Sequence, residues 1–208
     1  MSDIPYQPYS LLNLNEISVA TKVQVIELLN RTLATTIDLK TQIKQAQYNA
    51  IAGDNCEPLQ ELFAEMATQL EEYIDIFAFW LTAYRGLARA TAKVAAERSQ
   101  LPEYPHDTTE SSEHVAAVAQ RLALYAQLLL QFSIQTAQWG DVETSALYEE
   151  VLQVIEQRLW LLSAPWSAVA QGDETAAANG REEHRQTTSD RVSQFAYSSN
   201  ARSQSDIN

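Results

Sequence analysis

The chain has 208 residues, with 14 Lys plus Arg against 27 Asp plus Glu and a formal net charge of −13 at pH 7. That length accommodates one domain with a substantial core and a tail, and that charge repels phosphate backbones and anionic bilayers, so nucleic-acid or membrane-surface binding starts from a penalty. One cysteine, Cys56, excludes an intramolecular disulfide framework and suits a reducing, cytoplasmic compartment.

The first 21 residues hold neither Lys nor Arg and no continuous apolar run, unlike a secretory signal. Residues 1–15 are an N-terminal extension. The first helix is expected from Glu16 to about Tyr48, capped by Asn15, because Ile26, Leu29, Leu33 and Ile37 recur at helical spacing on one face. AGDN at 52–55 is a turn, and Pro58, with its fixed φ, suits the first turn of a second helix from about Glu57 to Ala83. Leu62, Met66, Leu70, Tyr73, Phe77 and Leu81 form its core stripe. A long connection follows, Tyr84 to about Glu110, with Gly86, a short helix at Thr91–Arg98 and a stop at LPEYP. The next long helix runs from about Ser112 to Gln138 through Val115, Val118, Leu122, Tyr125 and Leu129. After a break at Gly140-Asp141 the last runs from about Val142 to Ser163 through Leu147, Val151, Ile155, Leu159 and Leu162, halted by Ala164-Pro165. Residues 171–208 are polar with few large apolar groups, the composition of a disordered tail. Apolar runs such as IFAFWLTAY fall short of the roughly 20 residues that span a bilayer, so the protein is expected to be soluble.

Four long helices with one long crossover predict an all-α, ferritin-like four-helix bundle over 16–170. Three strings carry a closer likeness: LLNRTLATTIDLKTQIKQAQYN at 28–49, LQELFAEMATQLEEYIDIFAFWL at 59–81 and AERSQLPEYP at 96–105. Together they closely resemble the Dps miniferritins, and Trp160 in RLWLL extends the match. The resemblance implies a hollow dodecamer that oxidises ferrous iron with peroxide, stores the ferric mineral and often shields DNA.

The resemblance also implies five ligands, contributed across a two-fold interface between subunits, and these have mostly been replaced. Gln47 and Gln60 stand where the family has His, Ala64 where it has Asp, and Phe79 where it has Glu; only Asp75 keeps its acid. One carboxylate, two neutral amides and two apolar groups do not balance two ferrous ions. No catalytic residue is therefore assigned, Asp75 is the remaining metal candidate, and the pocket should be filled by Phe79. A buried Asp75 would need solvent, a cation or the Gln47 and Gln60 amides. Glu61, Glu65, Glu71 and Glu72 are candidates for a relocated site or for mineral nucleation on one carboxylate-rich surface. His106, His114 and His184 are expected at the surface.

Asp141 and Glu143 match the acids that, in the family, line three-fold pores, although Asp141 also suits the cap of the last helix. A basic DNA-binding arm is absent, and the tail from Gln171 has four Arg and six acids; strong DNA binding is not expected. Phe195 and Tyr197 are candidate docking anchors. The expected function is a Dps-like shell of iron homeostasis and stress protection with a degenerate ferroxidase position, assembling alone or with active relatives. The alternatives are an active oxidase using a relocated carboxylate site and a scaffold that recruits a partner through its tail.

Overall fold

The computed structural model describes residues 17–50 and 56–163. The first helix, α1 (Val19–Asn49), starts three residues later than the sequence suggests, because Ser18 takes the cap and its Oγ accepts from Thr21 N at 3.1 Å. Then come α2 (Cys56–Ala83), a short α3 (Ala92–Arg98) capped by Thr91, α4 (Ser111–Gln138) and α5 (Val142–Ser163). The extension 1–15, the turn at 52–55, the Ala164-Pro165 stop and the tail with His184, Phe195 and Tyr197 lie outside the described residues.

The apolar stripes become the core. Leu29, Leu33, Leu39 and Ile43 of α1 meet Phe63, Met66, Leu70, Phe77 and Leu81 of α2, and Val118, Leu122, Tyr125 and Leu129 of α4 meet Leu147, Val151 and Ile155 of α5, all buried. Each such side chain contributes roughly 1.5–3 kcal/mol by leaving water. Ile26, Ile37, Leu62, Val115 and Leu159, expected on the same stripes, lie at their margins and are half-buried. α4 is long and apolar enough, by length and composition, to cross a membrane. In the bundle it packs instead on α1 and α5, with the Arg121 guanidinium buried in its inner face.

Contacts fix the directions. Lys40 pairs with Glu71, and Gly86 abuts Ile26, so α1 and α2 run antiparallel. Thr36 Oγ1 meets Tyr125 OH at 2.7 Å and Arg121 Nε donates to Gln42 Oε1 at 3.1 Å, so α1 and α4 are antiparallel as well. α2 and α4 are consequently parallel, and residues 84–110 make the crossover this demands. With no strand among the described residues to pair with, that segment's backbone groups are satisfied largely by side chains. Asn30 Oδ1 accepts from Arg89 N at 2.9 Å, Thr35 Oγ1 from Gln100 N at 3.3 Å, and Gln42 Nε2 donates to Pro102 O at 3.1 Å. The crossover thus climbs the outer face of α1 from Asn30 to Gln42, with Arg98 pairing to Glu27 and Ser99 Oγ bonding Asp38.

A hydroxyl layer lies inside the bundle. Tyr148 OH bonds Thr32 Oγ1 at 3.0 Å, while Thr32 and Thr36 also return protons to Leu28 O and Thr32 O on their own helix. Burial pushes both the Tyr125 and Tyr148 phenols well above the ordinary tyrosine range, so both stay neutral donors.

Candidate functional site

The last turn of α1 and the first turns of α2 carry Gln47, Gln60 and Ala64. Gln60 Nε2 donates to Ala50 O at 3.1 Å and so ties the end of α1 to the start of α2, while Gln47 Oε1 accepts from Lys44 Nζ at 2.8 Å. The ammonium of Lys44 also lies 5.1 Å from the centroid of the exposed Tyr48 ring. Both amides are therefore engaged elsewhere, and the pairing of Asp75 with Gln47 or Gln60 does not form.

Asp75 and Phe79 sit one turn apart further along α2. At 1.5 Å per residue, Asp75 lies on the order of 22 Å along the helix from Gln60. A single chain cannot gather the five positions, so any common site needs a second copy. Asp75 is exposed rather than buried, and Phe79 retains 39% of its surface in the isolated chain. In the single chain the Asp75 carboxylate is open to solvent.

The helix-two acids divide. Glu61, Glu65, Glu72 and Asp75 are exposed, and helical geometry sets them on the stripe that includes Phe79. Glu65 reaches Arg158 Nη1 of α5 at 3.3 Å, and Glu71 turns aside to pair with Lys40 of α1. The single carboxylate surface expected for Glu61, Glu65, Glu71 and Glu72 is thus broken by two ion pairs. Among the described residues no three His, Cys, Asp or Glu side chains come together as a metal-binding group. Gln47, Gln60, Ala64, Asp75 and Phe79 do not fit a diiron centre: the amides bind weakly, and neither a methyl nor a phenyl group has a lone pair to donate.

Asp141 lies inside the fold at 1% exposure. Its Oδ1 accepts from Thr144 N at 3.1 Å, capping α5, and its Oδ2 accepts from Tyr84 OH at 2.6 Å. Tyr84 OH also meets Thr144 Oγ1 at 2.9 Å, which in turn accepts from Trp80 Nε1 at 3.1 Å. Burial and the Asp141 carboxylate raise the Tyr84 phenol far above its usual value. Asp141 thus caps α5 with its carboxylate turned into the chain's own interior; Glu143, on the first turn of α5, is exposed.

His114 departs from the surface placement expected of it: it is 1% exposed, while His106 is exposed and pairs with Glu103. Its Nδ1 bonds Tyr104 OH at 2.6 Å, and its Nε2 is buried without a partner among the described residues. Arg121 joins the same group, donating from Nη2 to Glu103 O at 2.7 Å with its guanidinium 5.6 Å from the Tyr104 ring centroid. Residue spacing carries little sign of this cluster, since His114 falls in the polar first turn of α4 and its partner Tyr104 comes from the crossover.

No family model matches the chain. The DNA protection during starvation protein of Agrobacterium fabrum is 27% identical over 150 residues, covering 72% of this chain and 92% of its own. The structure of a Dps protein from Bacillus brevis superposes with a TM-score of 0.65 at 22% identity, over 70% of this chain and 97% of that one. DpsC from Streptomyces coelicolor superposes with a TM-score of 0.67 at 23% identity, over 71% and 86%. The helix order, the crossover and these superpositions define a ferritin-like four-helix bundle. Within that class the chain is similar to Dps proteins.

Proposed function

We propose that this chain is the subunit of an oligomeric, Dps-like shell, dodecameric by analogy with the family, that holds ferric iron as cargo and protects the cell under stress without catalysing iron oxidation at the inherited position. The reading rests on the donor set at the five positions: one exposed carboxylate, Asp75, with the aromatic ring of Phe79 one turn on, and two distant amides, Gln47 and Gln60, engaged with Lys44 and Ala50. The half-exposed Phe79 is suited to pack against a second copy, filling the space where metals bind in active relatives. Cargo retention then falls to cavity-facing acids, with Glu61, Glu72 and Asp75 the available carboxylates and Glu143 the candidate pore acid. The balance of charge argues against a DNA-shielding role, and we place the protein in the cytoplasm, alone or in mixed shells.

The test is anaerobic ferrous loading of the purified, sized assembly, followed by peroxide, with ferric absorbance read against Asp75→Ala and a protein-free control. Oxidation at the protein-free rate, with soluble ferric iron retained in the shell fraction, supports the reading. Fast, saturable oxidation lost in Asp75→Ala overturns it in favour of a rebuilt carboxylate site.

A further inference from the structure

Beyond the bonds of Gln100 to Thr35 and of Ser99 to Asp38, the end of the crossover is held by one cluster. Pro102 O accepts from Gln42 of α1, Glu103 O accepts from Arg121 of α4, and the Tyr104 hydroxyl meets His114 Nδ1. Tyr104 is 8% exposed and its ring stacks on the imidazole, with 13° between planes and 6.0 Å between centroids. Two of these three fastenings use groups whose charge is constant near neutrality, the Gln42 amide and the Arg121 guanidinium. The third uses an imidazole, which changes charge in the range where cells acidify.

The surroundings favour only the neutral ring. The unpartnered Nε2 can be a bare acceptor or an unused N–H, but an imidazolium must carry N–H on both nitrogens. It would then donate through Nδ1 to the Tyr104 oxygen, whose own proton loses its acceptor, and bury a cationic N–H at Nε2 with nothing to receive it. The groups facing the ring do not compensate. From the crossover comes the Tyr104 phenol, itself held up at about 12 chiefly by burial. From α4 come the Arg121 guanidinium, which lies over the Tyr104 ring and offers no acceptor, and the Glu113 carboxylate, which is turned to the backbone N–H groups of Thr109 and Glu110 at 3.1 and 3.2 Å. From α1 comes the neutral Gln42, whose amide also meets Asp38. Glu103 and His106 pair with each other at the surface of the same loop.

We propose that His114 and Tyr104 form an acid-released latch: neutral imidazole fastens residues 99–106 to α1 and α4, and protonation of the ring frees that end of the crossover while the four long helices stay packed. Burial holds the His114 value below its ordinary 6.5, with Glu113 opposing weakly. A depressed histidine contributes stability that is complete above the unfolded value and is lost as pH falls through the folded one. Between those two values the closed-to-open ratio falls about tenfold per pH unit, one proton being taken up on opening.

Hydrogen–deuterium exchange of the intact assembly, corrected for the intrinsic pH dependence, tests the latch through the peptide covering 99–106. The expected result is protection that holds above about pH 6.5 and drops by about tenfold per unit below it, while α2 and α5 peptides stay protected. His114→Gln, which keeps a polar partner for Tyr104 but cannot titrate, should remove that slope, and His106→Gln should retain it. Slow deuteration at C2 of the His114 ring in the unmodified protein gives its midpoint independently of any variant. An acid slope that persists in His114→Gln, or opening that does not track the His114 midpoint, overturns the proposal.

Discussion

Among single residues, the proposed absence of iron oxidation rests on four side chains. Replacing Gln47 and Gln60 with His, Ala64 with Asp and Phe79 with Glu supplies, together with Asp75, two imidazoles and three carboxylates. The fourfold variant should gain saturable ferrous oxidation in the peroxide assay, whereas Phe79→Glu alone should not, because one added acid beside Asp75 leaves the amide half unable to hold iron. Asp141 has a different kind of importance. Asp141→Ala removes the α5 cap, about 1 kcal/mol, and strands the buried Tyr84 hydroxyl, about 1–3 kcal/mol more. A urea titration should show a loss of about 2–4 kcal/mol.

Among the elements, the turns and the crossover decide the topology. Gly140, at φ 81°, joins α4 to α5, and a Cβ at that position would have nothing within 4 Å. Gly140→Ala should therefore cost about 1–2 kcal/mol, from left-handed backbone strain alone and not from a clash, measurable by the same titration. Gly86 is the opposite case: a Cβ there meets Ile26 Cγ2 at 2.9 Å and Leu81 O at 3.2 Å, where the crossover leaves α2 against α1. The helix stripes were legible from spacing, as Met66, Leu70, Tyr73, Phe77 and Leu81 all proved buried. The α1 cap was not, because Asn15 and Ser18 are both good caps and only the backbone geometry chose Ser18.

For the molecule as a whole two bulk properties follow. With a net charge of −13, the purified protein should leave duplex DNA unshifted in a gel at physiological salt, and a shift that weakens steeply with added salt would contradict this. Alkaline stability is governed by buried phenols. Tyr73 is raised to about 12, first by burial and then by Glu150 and Glu72, and Tyr104 to about 12 by burial. A raised folded value means that the native state holds its proton more tightly, so this stability is complete below about pH 10 and is lost as pH rises towards about 12. The share of phenolate absorbance near 295 nm that comes from buried tyrosines should accordingly change together with helical circular dichroism in that window, and ionisation of those buried phenols in a fully helical protein would contradict it.

Residue type and spacing along one chain were enough to establish the periodic stripes, the crossover length and the excess of acid. Packing alone settled that Glu65 and Glu71 are drawn off to Arg158 and Lys40, that Asp141 faces inward to Tyr84, and that His114 is buried beneath Tyr104. Those fates depend on partners 10 to 93 residues away in the chain and on other elements. A residue's own helical phase carries no information about what a neighbouring helix or the crossover presents to it.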